Sequence, residues 1–323
     1  MKSKIKISKA TIILLMVAFI GIAISGCGKT QTKLPLLKLP QWGGFTPHDF
    51  EVQLNADVSK LPGQATVYKV VPQKMDEQTV ERLCKIFGVD ISAVTIKDKA
   101  SVVRRQNEKD LITYNDTGFY NFSTKNLFDY FPGKVVPPEE DCIKIAKSFA
   151  KKYNLLPKMY QYRIAIGAYT IYHPSFNESV ITDRTVTFCP IINGKVIRGP
   201  NSIDITIGDK GEIEEVNNYL YNNIAPLKGD YALKSIDEVI KELKENSSIQ
   251  WWIKPDEPDV KKVIINKVEI EYYGATGTSI KLEQPFIQPV YDLSGEVIFK
   301  NGKKGKFGVT VPAIDNQYII TGN

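Results

Sequence analysis

Three times along this chain a single amphipathic helical pattern is followed by several runs of period-two alternation, and that order most restricts what the chain can fold into. Val80, Leu83, Cys84 and Phe87 recur at helical spacing behind Asp76, an N-cap residue, and ahead of Gly88, a C-terminal stop. A second helix begins at Pro138, which suits a first turn, and Glu139, Glu140 and Asp141 suit the positive end of its dipole. Its apolar face is Cys142, Ile145, Ala146, Phe149, Ala150 and Tyr153. The third opens on Ser235-Ile236-Asp237-Glu238, a capping box, with Ile236, Val239, Ile240 and Leu243 as its stripe.

Between the helices the spacing changes to two. Phe50, Val52, Leu54 and Ala56 alternate with polar residues, and strands are expected at 65–71, 93–96, 101–105, 111–114 and 119–122. After the second helix they are expected at 162–168, 185–188 and 202–207, and after the third at 263–273, 286–293, 296–299 and 307–311. Asn193-Gly194, Asp209-Lys210-Gly211, Ser294-Gly295 and Asn301-Gly302 supply turn chemistry. Pro138 and Ser235 lie 97 residues apart, so the order reads as an α+β fold of repeated helix-plus-antiparallel-sheet modules. The expected units are 47–135, 136–230 and 231–323.

The first 26 residues are of another kind. Lys2, Lys4, Lys6 and Lys9 precede an apolar run from Ala10 to Ile24, which is short for a bilayer span that needs about 20 residues. Ile24-Ser25-Gly26-Cys27 then resembles the lipobox of bacterial lipoproteins. The resemblance implies a signal peptide over 1–26, cleavage between Gly26 and Cys27, and a diacylglyceryl group on the Cys27 thiol. Two acyl chains give stable anchoring, each buried methylene contributing about 0.8 kcal/mol. The implied location is the extracytoplasmic face of the cell membrane, with residues 27–46 as a lipidated, polar and proline-punctuated tether.

Removing the four signal-peptide lysines lowers the formal charge from +6 to +2, which argues against a nucleic-acid partner. Removing 26 residues from 323 leaves 297, enough for two or three modest domains. Cys84, Cys142 and Cys189 remain beside the lipid site. Cys84 and Cys142 fall on apolar stripes and read as buried free thiols, with a single disulfide as the alternative.

Residues 187–196 (Thr187 to Val196), Ser202-Ile203-Asp204-Ile205 and Asp209-Lys210-Gly211-Glu212-Ile213 resemble the strands of PepSY-like domains. Residues 231–240, Gln288-Pro289-Val290-Tyr291 and Ser294-Gly295-Glu296 resemble the next unit of the same family. Extracellular regulatory proteins of the YycH and YycI type and protease propeptides share that architecture. The resemblance implies a non-catalytic module that binds or restrains an envelope protein (a sensor, a protease or a cell-wall component). A structural or assembly factor of the envelope is the alternative, and a hydrolase is a third reading.

Catalytic chemistry finds little footing. His48 and His173 lie in no HExxH helix, no CxxC pair exists, and no GxSxG marks a nucleophile elbow, so no catalytic residue, metal site or cofactor is expected. Ser148-Phe149-Ala150-Lys151 has the SxxK spacing without the later motifs of serine acyl-transferases. Gly274-Ala275-Thr276-Gly277 reads as a hairpin loop, and Asp209-Lys210-Gly211-Glu212 lacks the ligand spacing of a calcium loop. Trp251 and Trp252 are the most unusual local feature and could present an aromatic contact to a partner, with core filling by one of them as the alternative.

Overall fold

The three helices stand where apolar spacing and caps put them. In the computed structural model the described residues are 32–37, 49–71, 73–125, 127–173, 178–245, 250–254, 259–274 and 286–320. Helix α1 (Glu77–Phe87) follows Asp76, whose carboxylate accepts from the Thr79 N–H at 2.7 Å, and it ends at Gly88 with φ of 66°. Helix α2 (Glu139–Lys152) follows Pro138 and buries Cys142, Ala146 and Ala150. Helix α3 (Ile236–Glu245) opens with a reciprocal cap. The Ser235 N–H and hydroxyl donate to Glu238 at 2.7 Å each, and the Glu238 N–H donates back to Ser235 Oγ at 3.3 Å.

The strands before α2 are β1 (Leu34–Pro35), β2 (Glu51–Leu54), β3 (Gln64–Ala65), β4 (Tyr68–Val70), β5 (Val94–Lys97), β6 (Ser101–Gln106), β7 (Lys109–Tyr114) and β8 (Tyr120–Thr124). Between α2 and α3 lie β9 (Gln161–His173), β10 (Glu178–Ile192), β11 (Lys195–Arg198), β12 (Ile203–Ile207), β13 (Ile213–Asn218), β14 (Ile224–Pro226) and β15 (Tyr231–Ala232). After α3 come β16 (Gln250–Lys254), β17 (Val260–Gly274), β18 (Phe286–Phe299), β19 (Lys304–Pro312) and β20 (Ile319–Ile320).

These strands overturn the expectation of repeated helix-plus-sheet modules. Among the described residues the protein is predominantly β, with 50% strand and 16% helix, and sixteen strands join in one large mixed sheet. One antiparallel region runs β5-β6-β7-β8-β13-β12-β10-β9. A second region is built on β17, β18 and β19, with β2, β4, β14 and β16 around them. Strand β11 joins the regions, as the hairpin mate of β10 and the parallel neighbour of β17. Pairing crosses every expected module border: β8 with β13, β2 with β17, β4 with β14 and β18. The physical reason is that alternation fixes which face a residue takes but leaves the hydrogen-bonding neighbour open.

Alternation assigns the two faces of the first region sharply. Ile164, Phe188 and Ile203 form one cross-strand row, and Ile166, Val186, Ile205, Val216, Phe122 and Leu111 form the next. These residues pack with Leu83 and Phe87 of α1 and Cys142 and Ala146 of α2 in one apolar cluster. Full burial of each Val, Leu, Ile or Phe there contributes about 1.5–3 kcal/mol. Val239 and Leu243 of α3 join the core of the second region with Val263, Leu293, Phe299 and Val309.

Other expectations also change. Ser294-Gly295, read as a turn, lies inside the continuous strand β18. A Cβ on Gly295 would run into the Ile264 carbonyl beside a β-bulge between Ile265 and Lys267, so the glycine serves close backbone approach. Residues 32–37, expected within a free tether, dock on the body. Leu34 and Leu37 are fully buried, β1 pairs with β20, and Gln288 Nε2 donates to the Pro35 carbonyl at 3.1 Å. Leu34 and Leu37, two of the three leucines in that short stretch, provide the apolar surface that a polar tether lacks. Cys84, Cys142 and Cys189 are free thiols.

Candidate functional site

The face of the first sheet region opposite α1 and α2 is polar, for the same period-two reason that makes the other face apolar. One row reads Ala165, Thr187, Asp204, Asn217 and Asn121, and the next reads Gly167, Thr185, Thr206, Glu215 and Ser123. Their side chains bond across the strands. Thr185 and Thr206 share a hydroxyl contact of 3.0 Å, and the Thr206 hydroxyl donates to Glu215 at 3.0 Å. Asn121 Nδ2 donates to Asn217 Oδ1 and to the Tyr219 hydroxyl.

At the β9–β10 end this face meets the second region, and a cleft of about 490 Å³ lies between them. That volume falls in the range of small-ligand sites, about 300–1,000 Å³. Arg163, Thr187, Cys189 and Asp204 form one wall, while Arg198, Asn201 and Tyr273 stand on the other. Gly199, with φ of 90°, lets the β11–β12 connection press against β17. A Cβ there would collide with the Gly274 carbonyl and the Tyr273 ring.

One buried polar side chain at the cleft has unmet bonding capacity. Asn201 is 1% exposed, and neither its Nδ2 nor its Oδ1 has a hydrogen-bond partner. A buried amide in that state is costly and marks a place for a water or a ligand group. Arg163 is exposed and makes no ion pair among the described residues. Burial raises the Asp204 carboxyl above its ordinary value, against hydrogen bonds from Thr187 and Ser202. Burial likewise pushes the Cys189 thiol up, with Arg163 opposing, so at neutral pH this sulfur is held as a thiol and is a weak nucleophile.

Arg198, although it lines the cleft, is held in ion pairs, with Glu271 through Nε and with Asp292 through Nη2 at 2.6 Å. Glu269, Glu271 and Asp292 bring carboxylate oxygens within 4.8 Å of one another, a spacing that could hold a cation. Two cationic side chains already occupy them, Arg198 on Glu271 and Asp292 and Lys267 on Glu269 at 2.8 Å. Burial, opposed by Arg198, pushes Asp292 up to about 6.

A second charged cluster is closed to solvent. Lys134 Nζ lies 3.1 Å from Asp183 and 3.4 Å from Glu214, and all three side chains are at most 3% exposed. It pins the segment between β8 and α2 to β-bulges in β10 and beside β12, helped by a Val135 N–H to Asp209 bond of 2.8 Å.

The structure separates the tryptophan pair. Trp251 is 6% exposed and packs edge-on to Phe50, inside the core of the second region. Trp252 is 50% exposed, with Lys254 over its ring at 5.5 Å. Gly26 and Cys27 lie outside the described residues, as do His48 and Ala275-Thr276-Gly277. Ser148 and Lys151 sit on α2, away from the cleft lining. The cleft itself was hidden from sequence reading. Arg163, Asp204 and Asn201 carry no motif, and the one available signal was period-two alternation, as in Ser202, Asp204 and Thr206 between isoleucines.

The fold and cleft therefore define a predominantly β protein with one polar sheet face and an inter-region pocket. No protein-family profile matches the chain, and neither curated proteins nor solved structures show similarity to it.

Proposed function

We propose that this chain is a lipid-anchored extracytoplasmic binding protein, held to the membrane through Cys27, which grips a polar segment of an envelope protein in the cleft beside Arg163 and Asn201. The observation that carries this reading is the unpartnered Asn201 amide, a donor and an acceptor side by side at the pocket wall. A peptide group offers the complementary pair, and Arg163 supplies a cation for a neighbouring carboxylate. The Cys189 thiol, held protonated, and the ion-paired Arg198 favour binding over covalent chemistry.

Docking of residues 32–37 gives this reading a geometry. Five residue steps separate Cys27 from Thr32, whose carbonyl accepts from the Tyr231 hydroxyl. Fully extended, they reach about 17 Å. A lipid on Cys27 would thus hold the β1–β20 corner close to the headgroups, and a partner reaching the cleft would be membrane-bound or membrane-proximal.

Photo-crosslinking tests the reading in native membranes. A photoreactive residue at Thr187 is expected to capture a discrete envelope protein, and Arg163→Ala is expected to reduce that adduct. The same probe at Ile96, on the exposed strand β5, serves as the control. Equal adducts from both positions, or none from Thr187, would overturn the cleft as the binding site. Labelled palmitate should enter the wild-type chain and not Cys27→Ala; label in neither would remove the anchor.

A further inference from the structure

Among the described residues, strand β9 has an unpaired edge unlike any other in the large sheet. It is thirteen residues long, and among the described residues its only strand partner is β10. Exposed strand edges invite pairing, and proteins guard them by shortness, proline or charge. The remaining edges follow that rule. Strand β5 has four residues and ends in Lys97, β2 has four and begins with Glu51, β14 has three and ends in Pro226, and β16 has five and ends in Lys254. Strand β9 contains no proline, lysine or carboxylate, and Arg163 is its one charged residue. Arg163, Ala165, Gly167, Ala168, Tyr169 and Thr170 are all exposed along it.

We infer that this edge pairs with the same edge of a second copy of the chain, antiparallel and centred on Gly167. Two features of β9 select a second copy as the occupant. An antiparallel pair of identical strands is self-complementary about a two-fold axis, so one sequence supplies both sides. With Gly167 on the axis, Arg163 lies opposite Ile171 and Ala165 opposite Tyr169, so no like charges meet. Gly167 also removes any side chain from the axis, and a Cβ there would meet nothing within 4 Å. Thirteen residue pairs in this register supply about twelve interchain backbone hydrogen bonds. The two polar faces then form one surface with a cleft on each half. The pairing rests on the edge alone and stands or falls separately from the cleft-binding reading.

Cysteine crosslinking of the full-length protein in native membranes, on a Cys189→Ser background, tests both the contact and its register. Directly opposed residues place their Cα atoms about 4.5–5.5 Å apart, within the range of a disulfide. Gly167→Cys should therefore give a covalent dimer on mild oxidation. Ala165 lies four residues from its own copy in this register, about 13 Å, so Ala165→Cys should give roughly tenfold less. No dimer from Gly167→Cys, or equal yields at the two positions, would overturn the proposal. A second experiment avoids oxidation and reads folding separately. Differently tagged Gly167→Lys and Gly167→Glu chains should co-purify, whereas two tagged Gly167→Lys chains should not. Equal recovery of the Lys–Lys and Lys–Glu pairs would likewise count against it.

Discussion

Replacing Lys134 with methionine would keep the buried stem and delete the charge between Asp183 and Glu214. At separations of 3.1 and 3.4 Å, and an effective dielectric of about 20, each attraction is about 5 kcal/mol. Most of that offsets the desolvation of three buried charges, so the expected loss on breaking the cluster is about 3–5 kcal/mol at pH 7. The loss should depend on pH with a definite sign. Burial, a hydrogen bond that the protonated Glu214 donates to Asp183, and the Asp183 charge push the Glu214 carboxyl up from 4.5 to about 7. The folded chain therefore binds this proton more tightly than the unfolded chain, and the stability it contributes is lost as pH rises from about 4.5 to 7. Without Lys134, the nearest cation, Glu214 moves higher still. The gap between wild type and Lys134→Met should be smallest near pH 5, then widen above pH 7 by up to about 1.4 kcal/mol per pH unit until the new value is passed. Urea unfolding at pH 5 and pH 8, followed by circular dichroism with slopes compared, measures this directly. A loss below about 1 kcal/mol, or one equal at both pH values, would refute the reading of these three side chains as one electrostatic clamp.

Further outcomes follow from packing. Trp251→Ala should cost about 3–5 kcal/mol, because it empties a core site against Phe50 and Phe307, whereas Trp252→Ala should cost less than about 1 kcal/mol; reversed magnitudes in urea melts would contradict the assigned burial. Gly208→Ala would place a methyl group inside the Glu214 carboxylate, which also accepts from the Asp209 N–H, and should cost about 1–3 kcal/mol; wild-type stability in thermal unfolding would show that the carboxylate can move aside.

The tryptophan pair shows how far local pattern reaches. Adjacent strand residues must point to opposite faces, so one buried and one exposed ring could be read from two letters. Which of the two entered the core depended on β16 pairing with β19, a contact 58 residues away at Trp251↔Val309. Residues 32–37 teach the same lesson from the other side. Thr32 and Lys33 made a polar tether plausible, while the leucines that dock found their surface only once β20 and β18 were in place. Helix starts were legible because caps are local chemistry: Asp76 to Thr79 and Ser235 to Glu238 each span three residues.

Taken alone, the sequence determined the three helices, most strand positions, the hairpin turns at Asn193-Gly194 and Asn301-Gly302, and the division of each strand into an apolar and a polar side. Those properties rest on contacts between residues a few positions apart. The tertiary structure alone decided that one large sheet forms, that Arg163, Asp204 and Asn201 share a cleft, and that β9 has no second strand partner among the described residues. Strand pairing is chosen among distant backbones whose hydrogen-bonding groups are identical. Only global packing of the helix-bearing face tells one partner from another.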